Sequence, residues 1–223
     1  MIFDTYYMKK QMYSAGAVLV NFDMCYPVVH GESYADRLNT FTRLFIERNI
    51  ETYSQKVYAE ALKQYKVLVR YNSFTRFEIK NNFNIMFSNN NVFSVFWDFY
   101  IDKGAAGYEM QRYSHNILLD NNQILNLGCI FARNRDWKLA LIKHMRKEVK
   151  IFEKEMGISC FAGWENVLSR SIDDNRYYIT DNGIVIYCPQ GSVAPNIWGI
   201  PSFLAPFSEL DYLLDKKFVE TLQ

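Results

Sequence analysis

The chain has 223 residues, 49% hydrophobic and 17% aromatic, with a formal net charge of +1. That apolar content excludes a disordered chain, and the balanced charge removes any general attraction to phosphate backbones, so no nucleic-acid partner is expected. No apolar run approaches the roughly 20 residues that a membrane helix needs. The first residues also lack a basic stretch leading into an apolar one, so with Met1 as the natural start a cytoplasmic product is expected.

The length accommodates one large domain or two small ones. Asp4–Met12 and Ala17–Tyr26 read as a hairpin turning at Ser14-Ala15-Gly16, with Val18, Val20, Phe22 and Met24 on one face and Tyr26-Pro27 closing it. Gly31-Glu32-Ser33 then supplies a break and a cap for a long helix. Leu38, Phe41, Phe45, Asn49, Tyr53, Val57, Ala61, Leu62 and Tyr65 share its apolar face. From Thr75 the period changes towards two. Phe77/Ile79, Phe83/Ile85/Phe87 and Val92–Tyr100 form a meander with turns at Asn81-Asn82 and Asn89-Asn90-Asn91. Gly104-Ala105-Ala106-Gly107 interrupts it, and a hairpin of Tyr113–Leu119 and Ile124–Leu127 follows.

A second helix starts at Asn134 as its cap. Trp137, Leu141, Met145, Val149, Phe152 and Met156 lie on one face, and Gly157 ends it. A short helix at Trp164–Leu168 precedes a strand at Tyr177–Thr180, a turn at Asp181-Asn182-Gly183 and a strand at Ile184–Cys188. Four of the five prolines follow or close this hairpin: Pro189, Pro195, Pro201 and Pro206. Proline fixes φ and removes a backbone donor, so this stretch is neither helix nor central strand. It is an extended path anchored by Val193, Ile197, Trp198, Phe203, Leu204 and Phe207. Ser208 caps a last helix through Leu222. The order of elements predicts an α+β fold, with mainly antiparallel sheets, two long helices and a C-terminal helix, in two packed subdomains at residues 1–103 and 104–223.

Chemistry is sparse. His30, His115 and His144 are scattered, and His144, beside Lys143, Arg146 and Lys147, reads as a surface residue. Asp173-Asp174 is an adjacent carboxylate pair, better suited to capping a loop than to acid–base work on a substrate. Gly104–Gly107 lacks the lysine and hydroxyl of a phosphate-binding loop. Cys25, Cys129, Cys160 and Cys188 form no CxxC pair, so free thiols are expected and structural zinc is not. No catalytic, metal or cofactor residue is assigned, and no ligand-binding residue is singled out.

The closing segment carries the specific signal. Tyr178-Ile179-Thr180, Gly183, Ala194-Pro195, Gly199-Ile200-Pro201 and Pro206-Phe207-Ser208-Glu209-Leu210 occupy the places of a strand, a turn, an A-P step, a G-I-P step and a final proline–aromatic–S-E-L. This pattern resembles the bacterial domain of unknown function that ends the anti-sigma factor RsiV and occurs in the peptidoglycan deacetylase PdaC. Ser94–Tyr100 and Asn116–Phe131 resemble its upstream strand and apolar run. Tyr26-Pro27 with the long helix resembles the companion domain that precedes it. The family's GGAHG turn aligns with Gly104–Tyr108, where Gly107 replaces the histidine, so no role of that histidine carries over.

The resemblance implies a non-catalytic binding or sensing module. Its ligand would be a lysozyme-like protein or a cell-envelope glycan such as a peptidoglycan fragment, met outside the cytoplasm. A cytoplasmic interaction or structural protein is the alternative, and a hydrolase a third reading. The oligomeric state is not legible.

Overall fold

The computed structural model describes residues 2–104, 107–157, 159–173 and 175–223. Ala105-Ala106 of the glycine turn and Asp174 of the carboxylate pair thus lie outside the described residues. The fold is α+β, as the order of elements predicts. Strands β1 (Ile2–Ser14) and β2 (Ala17–His30) lead into helix α1 (Ala35–Leu68), then into β3 (Phe77–Ser88), β4 (Val92–Asp102), β5 (Tyr108–Leu118) and β6 (Gln123–Ile124). After α2 (Trp137–Met156) and α3 (Trp164–Ser171) come β7 (Tyr177–Thr180), β8 (Gly183–Tyr187) and β9 (Ser202–Pro206). The chain ends in α4 (Phe207–Leu210) and α5 (Lys216–Thr221). Hydrogen bonding orders the strands β1-β2-β3-β4-β5-β6 and β7-β8-β9. Two compact units form: one holds residues up to Phe83 plus Trp97–Met110, the other Asn84–Phe96 plus Gln111–Gln223.

In the first unit the β1–β2 hairpin turns at Ala15-Gly16, both at positive φ. Its register skips Leu19 between Met12↔Val20 and Tyr13↔Val18, a bulge that leaves both Leu19 and Val20 fully buried. Pro27 does not close the hairpin; β2 continues to His30. The reason lies in which edge its nitrogen faces. Cys25 and Val29 direct their N–H groups away from β1, to Asn81 Oδ1 and Asn39 Oδ1, each at 2.7 Å. By alternation Pro27 has its nitrogen on that same edge, where no ladder bond is lost. Its carbonyl accepts the Thr42 hydroxyl at 3.2 Å. Asn81 is therefore not a turn residue. It sits inside the unbroken β3 and also donates to the Cys25 carbonyl at 2.9 Å.

β2 and β3 pair in parallel, Val20↔Phe77 to Asp23↔Lys80, a departure from the antiparallel expectation. Tight turns enforce antiparallel neighbours; here the connection is α1, and a helical crossover joins parallel strands. The α1 cap is Tyr34, without a side-chain bond, and not Ser33. The buried row of α1 runs Leu38, Thr42, Ile46, Ile50, Tyr53, Val57 and Ala61. Phe41, Phe45 and Asn49 flank it, half-buried, and Phe45 packs at 4.6 Å from the buried Trp97 ring.

The core of the second unit gathers Leu141, Met145 and Val149 of α2 with Ile179, Ile184 and Ile186 of the β7–β8 hairpin, Phe203 of β9 and Phe218 of α5. The Asn89–Asn91 turn forms as expected, with Asn89 Oδ1 accepting from the N–H of Asn91 and Val92. The proline path forms too, and β9 within it is an edge strand. Val193 is buried, and Trp198 stacks on Phe152 at 4.0 Å. Ile197 is no anchor; it is 86% exposed at the tip of the Asn196–Trp198 turn, because Trp198 takes the inward place. Nor does Ser208 cap one continuous helix. The end breaks into α4, a 3-10 turn at Asp211–Leu213, and α5 capped by Asp215, whose carboxylate accepts the Lys217 N–H.

Two motif glycines have physical causes. Gly199 adopts φ 74 and ψ −138, a region closed to side chains. At Gly183 a Cβ would fall on the Ala205 carbonyl oxygen and within 2.8 Å of Pro206 Cα, so β9 closes on β8 only over a bare backbone. Gly183→Ala is expected to lower stability by about 1–3 kcal/mol through overpacking. Gly128→Ala, whose Cβ would meet Trp137 at an ordinary 3.9 Å, should stay within about 0.5 kcal/mol. Urea unfolding of the two variants beside the parent measures both.

Candidate functional site

The cavity of interest lies on the second unit, between the N-terminal half of α2, helix α4 and the 211–213 turn, with a volume of about 610 Å³. α2 begins two residues later than Asn134. Asp136 is the cap, its carboxylate accepting the Leu139 N–H at 3.4 Å. Both residues suit a cap chemically. Trp137 stacks on Phe131 at 4.7 Å, 7° from parallel, and so fixes where the first turn starts.

His144 is not the surface residue that its basic neighbours suggested. Its side chain is only 11% exposed. Nδ1 lies 3.1 Å from Glu209 Oε2 and Nε2 lies 2.5 Å from the Leu204 carbonyl oxygen. One ring thus ties α2 to both β9 and α4, and it orients the Glu209 carboxylate at the cavity wall. Around it stand Arg135, Lys143 and Lys147 as exposed cations and Asp136 as a second carboxylate. Tyr212 adds a ring that is 65% exposed. Such a lining offers cations to anionic groups, carboxylate acceptors to hydroxyls, and an aromatic face to an apolar ring surface.

The other candidates have local partners. His30 pairs with Asp4 at 3.0 Å. His115 sits in β5 with its Nδ1 buried, and burial pushes the imidazole down to about 4. Asp173 accepts the Asn175 N–H at 2.9 Å, a loop-capping role. All four cysteines are free. Burial pushes the Cys188 and Cys25 thiols up to about 11; burial followed by the neighbouring Glu153 pushes Cys160 up to about 12. Thiols so raised are poor nucleophiles. Among the described residues no group of three or more His, Cys, Asp or Glu is placed to hold a metal ion, and no helix is long and apolar enough to cross a membrane.

No family model matches the sequence, and no curated protein is significantly similar to it. Solved structures do match. A DUF3298 family member from Bacteroides fragilis is similar with a TM-score of 0.65 and 14% identity, over 99% of this chain and 96% of that one. A DUF3298 family protein from Pseudomonas aeruginosa is similar with a TM-score of 0.61 and 11% identity, over 98% and 97%. The likeness establishes a shared fold for nearly the full length of each chain.

One residue of the second unit had no signal in the sequence. Arg112 on β5 places its guanidinium carbon 4.0 Å from the Phe96 ring centroid, with Tyr178 at 5.9 Å and Tyr187 at 5.8 Å. It also donates to the Ser202 hydroxyl at 3.1 Å. This aromatic nest joins β4, β5, β7, β8 and β9 and is structural. Only the convergence of four sequence-distant segments creates it.

The His115 environment sets a pH dependence. Its folded value lies below the ordinary imidazole range, so the unfolded chain binds the extra proton between about pH 6.5 and 4. Stability should be full above pH 6.5 and fall by up to about 3 kcal/mol as pH drops through that window. In His115→Phe the loss between pH 7 and 4.5 should shrink accordingly, as read by urea unfolding at each pH.

Proposed function

We propose that this protein is a non-catalytic binding module, and that the cavity between α2 and α4 is its ligand surface. The observation that carries the reading is the use made of His144. Its two ring nitrogens are spent on Glu209 and on the Leu204 carbonyl, which makes it a brace between elements. Cations, acceptors and an aromatic ring are left facing solvent around it. That arrangement suits recognition by many contacts.

The resemblance of the closing segment to the domain of RsiV and PdaC supports a cell-envelope setting. The ligand is then a lysozyme-like protein or a peptidoglycan fragment. Glu209, which His144 orients, belongs to the final S-E-L of that segment, so the motif and the cavity share a residue. Calorimetry with a set of lysozymes and with soluble peptidoglycan fragments tests the proposal. Binding to one of the two sets is expected, weakened at least tenfold in Tyr212→Ala and without consumption of the glycan. Absence of binding across both sets, or turnover of the fragments, would overturn it.

A further inference from the structure

The cavity does not end at the first turns of α2. Lys143, Lys147, Lys150 and Lys154 follow at spacings of four, three and four, which puts them in one row on the exposed face of the helix. A second, shallow cavity of about 480 Å³ runs along this row, bordered by Arg146 and Ile151, and shares Lys143 and Lys147 with the first. The row is about 16 Å long at the helical rise of roughly 1.5 Å per residue. The opposite face, with Leu141, Met145 and Val149, is buried in the core.

The nearby carboxylates are engaged elsewhere or stand off the row. Glu153 accepts the Cys160 N–H at 2.7 Å, Asp136 caps the helix and Glu209 is held by His144, while Glu148 and Glu155 of α2 lie neither three nor four residues from any lysine of the row. Among the described residues no ion pair joins any cation of the row to an acid. In a chain of net charge +1 this is a local concentration of positive charge. Neighbouring lysines of the row stand roughly 5–6 Å apart at their Cβ atoms, so they present their charges in a line.

We propose that the row and the cavity form one groove for an anionic glycan, a polysaccharide bearing carboxylate groups along its length. Lysines hold the acidic groups. At the Asn134 end the chain terminus enters the larger cavity, where Tyr212 stacks on a sugar face and Glu209 and Asp136 accept its hydroxyls. A membrane surface fits less well, since among the described residues α2 exposes just Ile151 and Leu139 as large apolar side chains. A nucleic acid would leave the two carboxylates facing phosphates.

This inference rests on the cavity being a ligand surface and names its ligand class. Calorimetry with polygalacturonate, neutral dextran, a thymidine 30-mer, anionic phosphatidylglycerol vesicles, a set of lysozymes and soluble peptidoglycan fragments tests it. Polygalacturonate should bind and dextran should not, with affinity falling roughly tenfold as salt rises from low to physiological levels. The exposed double variant Lys147→Glu/Lys150→Glu should lose at least tenfold together with much of the salt dependence, and Tyr212→Ala should bind at least tenfold more weakly with its salt dependence unchanged. The proposal is overturned if polygalacturonate fails to bind, if either variant binds like the parent, or if the oligonucleotide or vesicles bind more tightly. Lysozymes or peptidoglycan fragments binding where polygalacturonate does not would sink the polyanion groove and leave the binding module standing. Silence from every probe would remove both.

Discussion

The second unit depends on how the outer edge of β7 is finished. β7 is the edge strand of its sheet, and its backbone faces β4 and β5, which are already paired with other strands. Three short polar side chains take the place of a partner strand. The Ile179 N–H donates to Ser94 Oγ at 2.9 Å and to Asn116 Oδ1 at 3.2 Å. The Tyr177 carbonyl accepts from Ser114 Oγ at 2.6 Å and Asn116 Nδ2 at 3.0 Å. Ser94 and Asn116 also bond each other at 2.7 Å. All lie in the core, where a single orphaned group costs about 1–3 kcal/mol. Full satisfaction lets the sheet edge be buried, and it fixes the register of β7 against β4 and β5. The Tyr177 hydroxyl extends the same network to the Leu125 carbonyl.

The first unit uses the same device on β2. Only Val20–Asp23 has β3 as a partner on the far edge. Beyond it, Asn81, Thr42 and Asn39 complete the edge residue by residue, and proline stands where a donor would have had none to meet. A side-chain amide carries the same donor and acceptor as a peptide group. It can therefore extend a ladder where the chain itself has left the sheet. Asn39 and Thr42 come from α1, so the helix is held to β2 by direction-dependent bonds as well as by its apolar row.

This also explains what was legible in the sequence. Hairpins and helices announce themselves through local period and turn chemistry, and the β1–β2 and β7–β8 hairpins, the long α1 and the Gly157 stop all appear where expected. Asn81 was misread because asparagine in sequence signals a turn, while here it serves as a surrogate peptide for a strand 56 residues away. The parallel β2–β3 pair was missed because the pattern of a strand is the same in either pairing, and the sheet was read from tight turns and not from the α1 crossover. His144 was misread for a related reason. Its neighbours on the helix are basic and exposed, but one position round the helix is enough to turn its ring under β9 and α4. Arg112 gave no signal, since its aromatic partners come from separate strands.

The same geometry explains how the walls of the proposed binding surface are held. α4 is a single turn and could not hold Glu209 in place by its own helical bonds, since a helix that short is marginal. His144 supplies the missing constraint by gripping both the carboxylate and the carbonyl of Leu204 just ahead of it. The proline path is the other half of the support. β9 closes over Gly183, and Phe207 donates its N–H to the Asn182 carbonyl at 2.9 Å, so α4 starts from a fixed point. The motif-rich closing segment therefore forms one wall of the cavity, and α2 forms the other. On α2 the side turned to the core is apolar, and among the described residues the lysines on the side turned to solvent form no ion pair. Keeping like charges in one row costs stability by mutual repulsion, and the proposed ligand of opposite charge would offset that cost.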